Sequence, residues 1–393
     1  MESKILTPEQ SNRLLVVDAL RGFALAAIAL LHNIEHFDFY FLPENLPAWM
    51  PPVDKAVWDS LFFLFAGKSY SIFALLFGLT FFIQSDNQAR QGRDFKARFA
   101  WRLLLLFCFG FVNSMFYQGD ILETYAVIGV VLIPASLLNS RAALWLALFF
   151  LLQPIEWYQV FQAWQHPVEK LEDPASWAYF GKMTPYITGD SFAETVKGNI
   201  TNGRKAVALW TRESGRVTQT AGLFILGMLA GRKSLFRISP ESNQFWKNVL
   251  VISTIAFLLL FDISQHAQWF SNQPGVQRPL QTMLTMWSNM AFTLVLVSGF
   301  FLLFQKAAFH EALNTFSPLG QMSMSNYVIQ SVLGSFIYYG YGLGMYAKAG
   351  STYAMLIGIT LISFQILFSR WWMQRHKQGP LETLWHRATW IGA

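Results

Sequence analysis

Runs of apolar residues divide this chain, each close to the 17 to 25 residues that a helix needs to cross the hydrocarbon core of a bilayer. They fall near 14–34, 60–84, 99–117, 120–139, 141–156, 214–231, 246–264, 283–305, 319–341 and 352–372. Between them little is left for a water-facing surface: only 13% of the residues are charged, against roughly 25% in an ordinary soluble domain. The pattern predicts an all-α membrane protein, a polytopic bundle of about ten transmembrane helices. Residues 1–393 read as a single membrane-embedded domain with one large hydrophilic excursion, 157–213, between the fifth and sixth spans. That segment is rich in aromatics, among them Trp164, Trp177 and Tyr179, where a disordered linker would be poor in them. It is expected to pack as interfacial helices or a lid.

The formal charge is +6. In a soluble protein this excess would suggest nucleic acid as a partner, but here the distribution of charge accounts for it and none is expected. With the N-terminus in the cytoplasm, Arg90, Arg93, Lys96 and Arg98, then Arg232, Lys233, Arg237 and Lys247, and finally Arg370, Arg375, Lys377 and Arg387 all lie inside. The opposite loops hold only Lys55, Arg278 and Lys348. This is the positive-inside bias, and it places both termini in the cytoplasm and the excursion outside. Trp58, Trp101, Trp157, Trp246, Trp371 and Trp372 sit near proposed span ends, as an interfacial belt would. Lys4 and Arg13 precede the first apolar stretch like the start of a secretory signal, but Asp18 and Arg21 interrupt that stretch, so it is expected to be retained. The single cysteine, Cys108, excludes disulfides and cysteine-ligated metal; no metal site is expected.

Ionisable groups inside apolar spans are costly and mark cavities or partners. In RGFALAAIALLHNIEHF, residues 21–37, Arg21 and His32 lie eleven residues apart, on one stripe of a helix and about 16 Å along its axis. Asp18 and His36 fall on the same stripe, with Asn33 and Glu35 beside it. Asp18 and Arg21 also read simply as an ion pair that anchors the helix end. Lys68 lies either deep in the second span or, if that span begins at Gly67, at its boundary with the stem snorkelling outward. The third span ends with Asn113, and in YQGDILETYA (117–126) a reversal at Gly119 sets Asp120 at the start of a new helix, with Glu123 and Tyr125 following. As a helix cap Asp120 is fully explained. By topology it also lies at the depth of His32, and a carboxylate beside an imidazole is the minimum equipment for general base catalysis. The ninth span opens with a Ser317 cap and Pro318 in the first turn. Asn326, Tyr327 and Gln330 then line up at helical spacing, either to bond neighbouring helices or to line a passage.

The segments VVDALRGFALAAIALLHN, SIFALLFGLTFF, QGDILETYAVIGV, GMLAGR, LGQMSMSNYVIQSVLG and QGPLETLWHRATW occur in order over nearly the whole chain. Together they resemble the bacterial YeiB-like membrane proteins, a group placed with the transmembrane acyltransferases. The resemblance implies a multi-pass protein of the bacterial inner membrane. It makes His32 the candidate catalytic residue, since in the sugar O-acyltransferases an arginine-glycine pair precedes such a histidine at the spacing seen from Arg21 to His32. One position departs: the YeiB-like pattern usually has asparagine at position 32 and histidine at position 113. The ends of the first and third spans would therefore touch if either can host the imidazole.

Two functions are expected from these residues. In one, an acyl group passes from a cytoplasmic donor such as acyl-coenzyme A, a co-substrate with Arg21, Arg98 and Arg102 at its phosphates, to a small-molecule, glycan or lipid acceptor. His32 then acts as base or acyl carrier, Asp120 orients it, and no cofactor is bound. In the other, the same polar stripe lines the pathway of a transporter or lipid-handling protein. Membrane lipids are expected as partners, and a homodimer is compatible with either.

Overall fold

The structure, a computed structural model, describes residues 14–37, 43, 46–166 and 172–391. Lys4 and Arg13 of the N-terminal reading lie outside the described residues. Every regular element among those residues is helical. The first half holds α1 (Leu15–Ile34), α2 (Met50–Phe65), α3 (Ser69–Ala89), α4 (Lys96–Ser114), α5 (Leu122–Gly129), α6 (Leu132–Leu137), α7 (Ser140–Leu151) and α8 (Pro154–Gln165). The excursion folds into α9 (Ala175–Phe180), α10 (Thr184–Thr188), α11 (Phe192–Gly198), a π-helical turn at Asn199–Gly203, and α12 (Arg204–Glu213). The second half holds α13 (Arg216–Arg232), α14 (Pro240–Ser264), α15 (Pro274–Phe304), α16 (Ala307–Asn314), α17 (Ser317–Gln321), α18 (Ser323–Tyr338), α19 (Ser351–Met373) and α20 (Pro380–Thr389).

Six segments among the described residues are long and apolar enough to cross a membrane: α1, α2 with α3, α4, α14, α15 and α19. The bent pair α7 and α8 makes a seventh if counted as one span. The chain is an all-α membrane protein. The other expected spans fall on shorter helices, α5 with α6, α13, and α17 with α18. The runs of α5 with α6 and of α17 with α18 are interrupted between helices, and α13 is a single helix of 17 residues.

α1 is the axis of the bundle. In its most apolar stretch 72% of the residues are buried, against 17% for α14, which lies outside and packs on α15. Its alanines and Gly22 keep its surface low, so α3, α17, α18 and α19 can surround it closely. At two places helix backbones touch. A Cβ on Gly22 would stand 2.0 Å from the Phe316 carbonyl oxygen, and one on Gly320 would stand 1.9 Å from that of Asp18. In the same way α3 and α13 cross at Gly78 and Gly227, where a Cβ would meet the carbonyl oxygens of Phe224 and Leu75 at 1.8 Å.

The C-terminal helix α20 closes the end of the bundle where α1 begins. Glu382 accepts the Met324 and Ser325 backbone N–H groups at 2.7 and 3.1 Å and the Ser325 hydroxyl at 2.5 Å, capping α18 from outside its own chain segment. Arg98 donates to the Thr389 carbonyl at 2.7 Å, and the Trp101 indole to that of Ala388 at 3.0 Å. Since charge-assisted bonds contribute about 1.5–3 kcal/mol, Glu382→Ala is expected to release α20. Limited proteolysis should then cleave after the exposed Arg387 several times faster than in the unsubstituted protein.

Several expectations change in detail. Ser317 does not cap; it lies in the first turn of α17 beside Pro318, and its hydroxyl bonds Asn314 at 2.8 Å. Trp246 is not interfacial but 3% exposed, its indole donating to the Leu235 carbonyl, whereas Trp101, Trp157 and Trp371 are exposed as expected of a belt.

Candidate functional site

Two cavities lie end to end along α1. The first, about 300 Å³, opens near α20 and is walled by Arg21, Gln84, Arg102, Tyr125, Tyr327 and Trp385 among others. The second, about 440 Å³, surrounds the other end of α1 and holds His32, Glu35, Tyr70, Trp177, Trp210 and Arg216. Only Ile28 and Ile121 border both. One helix thus presents an arginine to the first cavity and, three turns later, a histidine to the second, with an apolar collar between.

In the first cavity Arg21 is fixed from two sides. Its guanidinium pairs with Asp18 at 3.2 Å and donates to the Thr80 hydroxyl of α3 at 3.0 Å. Arg102 stacks on Trp385 of α20 at 4.1 Å and donates to the Thr389 hydroxyl at 3.1 Å. Arg98, expected beside them, does not line the cavity; it is taken up by the carbonyls of α20's end. Tyr125 donates to the Tyr70 carbonyl at 2.6 Å, and the Tyr327 hydroxyl accepts the Ile121 N–H at 3.3 Å, which holds one side of the collar.

In the second cavity the His32 ring lies 4.8 Å from Tyr117 and 5.6 Å from Phe37. Tyr117, whose N–H bonds the Asn113 carbonyl at 3.1 Å in the turn after α4, is the residue of that turn that packs on the His32 ring. The imidazole does not pair with Asp120. Asp120 accepts from the Asn113 amide at 2.9 Å and from the Glu123 N–H at 3.0 Å, which makes it the cap of α5 and the fastening of the turn that carries Tyr117. Glu123 faces outward to α12, where Arg204 meets it with two nitrogens at 2.9 to 3.1 Å.

The remaining residues from the sequence lie off the cavities. Asn33 bonds the Ala29 carbonyl at 2.7 Å and Tyr338 at 3.0 Å. His36, at φ +47, turns off the stripe and stacks on Tyr338 at 5.0 Å. Asn326 and Gln330 join α18 to α19 through Ser369 and Gln365 at 2.8 and 2.9 Å. Lys68 sits where Gly67, at φ +78, separates α2 from α3; its ammonium faces the Phe63 and Phe292 rings at 5.9 and 5.7 Å.

The excursion roofs the second cavity, with Trp177, Phe180, Val207 and Trp210 as its inner face. It is clamped by Arg204 to Glu123, by the Asn199 amide to the Met115 carbonyl at 3.1 Å, and by the Gly340 N–H to the Ile187 carbonyl at 2.8 Å. Sequence reasoning missed Arg216, Tyr70 and Trp210. Arg216 stood in the sequence only as one more charge before a span, and nothing in the order of residues ties it to His32.

An all-helical membrane protein with two cavities strung along a buried first helix is the class that this geometry defines. The family model described as "Protein of unknown function (DUF418)" matches residues 230–392, from the end of α13 through α20. Over nearly its whole length the chain is similar to "Uncharacterized protein YxaH" of Bacillus subtilis (strain 168), with 27% identity over 98% of this chain and 96% of that protein. It is also similar to "Uncharacterized protein YeiB" of Escherichia coli (strain K12), with 25% identity over 96% of each. The likeness to the YeiB-like proteins thus extends over nearly the whole chain.

Proposed function

We propose that the chain is an acyltransferase of the bacterial inner membrane, with about ten spans, both termini in the cytoplasm and the excursion outside. The observation that carries this reading is the placement of Arg21 and His32 in successive cavities on one helix, separated by a collar of Ile28 and Ile121. A thioester donor such as acyl-coenzyme A enters from the α20 end, where Arg21 and Arg102 meet its phosphates. Its thiol-ended arm crosses the collar toward His32. The acceptor hydroxyl or amine gives its proton to the imidazole and attacks the thioester carbonyl carbon. The acyl bond to oxygen or nitrogen forms, the bond to sulfur breaks, and the thiolate leaves with the proton returned by the imidazolium. Asp120 acts on the ring only through the turn that carries Tyr117.

The rival reading, a transporter or lipid-handling protein, is favoured by one feature, the Gly67–Lys68 break beside the second cavity, since interrupted helices mark solute sites in transporters. Membranes given radioactive acyl-coenzyme A separate the two. Labelling of an envelope acceptor that falls at least about tenfold with Ile121→Trp, which fills the collar, supports acyl transfer. Undiminished labelling with the collar filled, or solute uptake without labelling, overturns it.

A further inference from the structure

Arg216 is the first residue of α13 and reaches into the second cavity alongside His32. Its guanidinium lies 3.9 Å from the Trp210 ring and 4.4 Å from the Tyr70 ring, so two aromatic rings pack against it. The edge carries the hydrogen-bond donors. Its Nε is buried without an acceptor, and no carboxylate pairs with the guanidinium among the described residues. Glu213, the acid nearest in sequence, is committed to the Ser176 N–H and hydroxyl at 3.3 and 2.5 Å. Glu35 lines the same cavity farther along α1 and has a partner of its own.

The stack is held in advance. Gln219, one turn along α13, donates to the Met286 carbonyl of α15 at 2.8 Å and accepts from the Tyr70 hydroxyl. Thr218 donates to Gln153 at 2.5 Å. Tyr70 and Arg216 are thereby fixed relative to each other before any ligand arrives. Leaving a buried guanidinium donor unpaired is costly, whereas a planar fork suits an oxyanion held by two parallel bonds.

We infer that the second cavity binds an anionic ligand whose phosphate or carboxylate seats on the unpaired edge of Arg216. In the acyl-transfer reading, on which this step rests, that ligand is the acceptor, and Arg216 sets it beside His32. The same chemistry reaches the cavity from two sources, a soluble phosphate ester or an anionic lipid headgroup.

The test uses the full-length protein in nanodiscs. Calorimetric titration with glycerol 3-phosphate, with glycerol as the neutral control, probes the soluble source; melting in phosphatidylglycerol against phosphatidylcholine discs probes the lipid. Saturable binding of glycerol phosphate, or stabilisation by phosphatidylglycerol, is expected, and the probe that acts identifies the source. Arg216→Gln should weaken the effect by at least about tenfold, since bonds to charged groups are the strong ones, and Arg216→Lys, which keeps the charge but not the fork, should be intermediate. Trp210→Leu, which removes one of the two rings, should also weaken it and serves if the glutamine variant does not fold. Equal responses from Arg216→Gln, Trp210→Leu and the unsubstituted protein, or no response to either probe, overturn the inference. Anion binding without His32-dependent transfer would instead refute acyl transfer and leave the anion site standing.

Discussion

His32→Ala is expected to abolish acyl labelling while the protein still accumulates in the membrane. A positioned general base contributes typically 10²–10⁴-fold in rate, and nothing else in the second cavity replaces it: Tyr117 and Phe37 offer the ring only packing, and Glu35 has another partner. Accumulation should persist because the ring borders a cavity and makes no bond on which a helix depends. The measurement is incorporation of labelled acyl groups by membranes matched for protein content. Labelling within twofold of the unsubstituted level would remove His32 from the chemistry.

Gly227→Ala or Gly78→Ala is expected to lower stability more than most single-methyl changes. The added carbon would stand 1.8 Å from a carbonyl oxygen of the facing helix, so α3 and α13 must separate rather than one side chain rotate. Overpacking costs about 1–3 kcal/mol where side chains can adjust and more where backbones must shift. The separation would also break the bond between Tyr70 and Gln219 and slacken the wall that carries Arg216. Thermal unfolding in detergent reads the loss. Gly299→Ala in α15, where a Cβ meets nothing within 4 Å, is the control and should leave the melting temperature unchanged or raised.

The class of fold was legible because lipid imposes one simple demand, long apolar runs, and the chain meets it repeatedly. The stripe of α1 was also legible, since helical period alone sets Arg21 and His32 on one side, and both line cavities. What periodicity cannot supply is the partner across a contact. Asp120 was expected at the depth of His32, yet its carboxylate is turned to Asn113. His36 looked equivalent to His32 until the backbone turned at the end of α1. Asn326 and Gln330 have the spacing of a lined passage, but their partners Ser369 and Gln365 lie in α19, some forty residues on. Arg216 was hidden for the same reason: its stacking partners come from α3 and α12, and only the folded chain brings them together.

The collar of Ile28 and Ile121 has an electrical consequence. A water-filled hole through an energised membrane would short-circuit the ion gradients across it. Ile28 and Ile121, the two residues that line both cavities, would make any neck between them apolar, and a dewetted neck admits hydrated ions poorly. A greasy acyl arm pays no such hydration penalty there. In the acyl-transfer reading such a neck would pass the acyl arm and still resist the flow of ions.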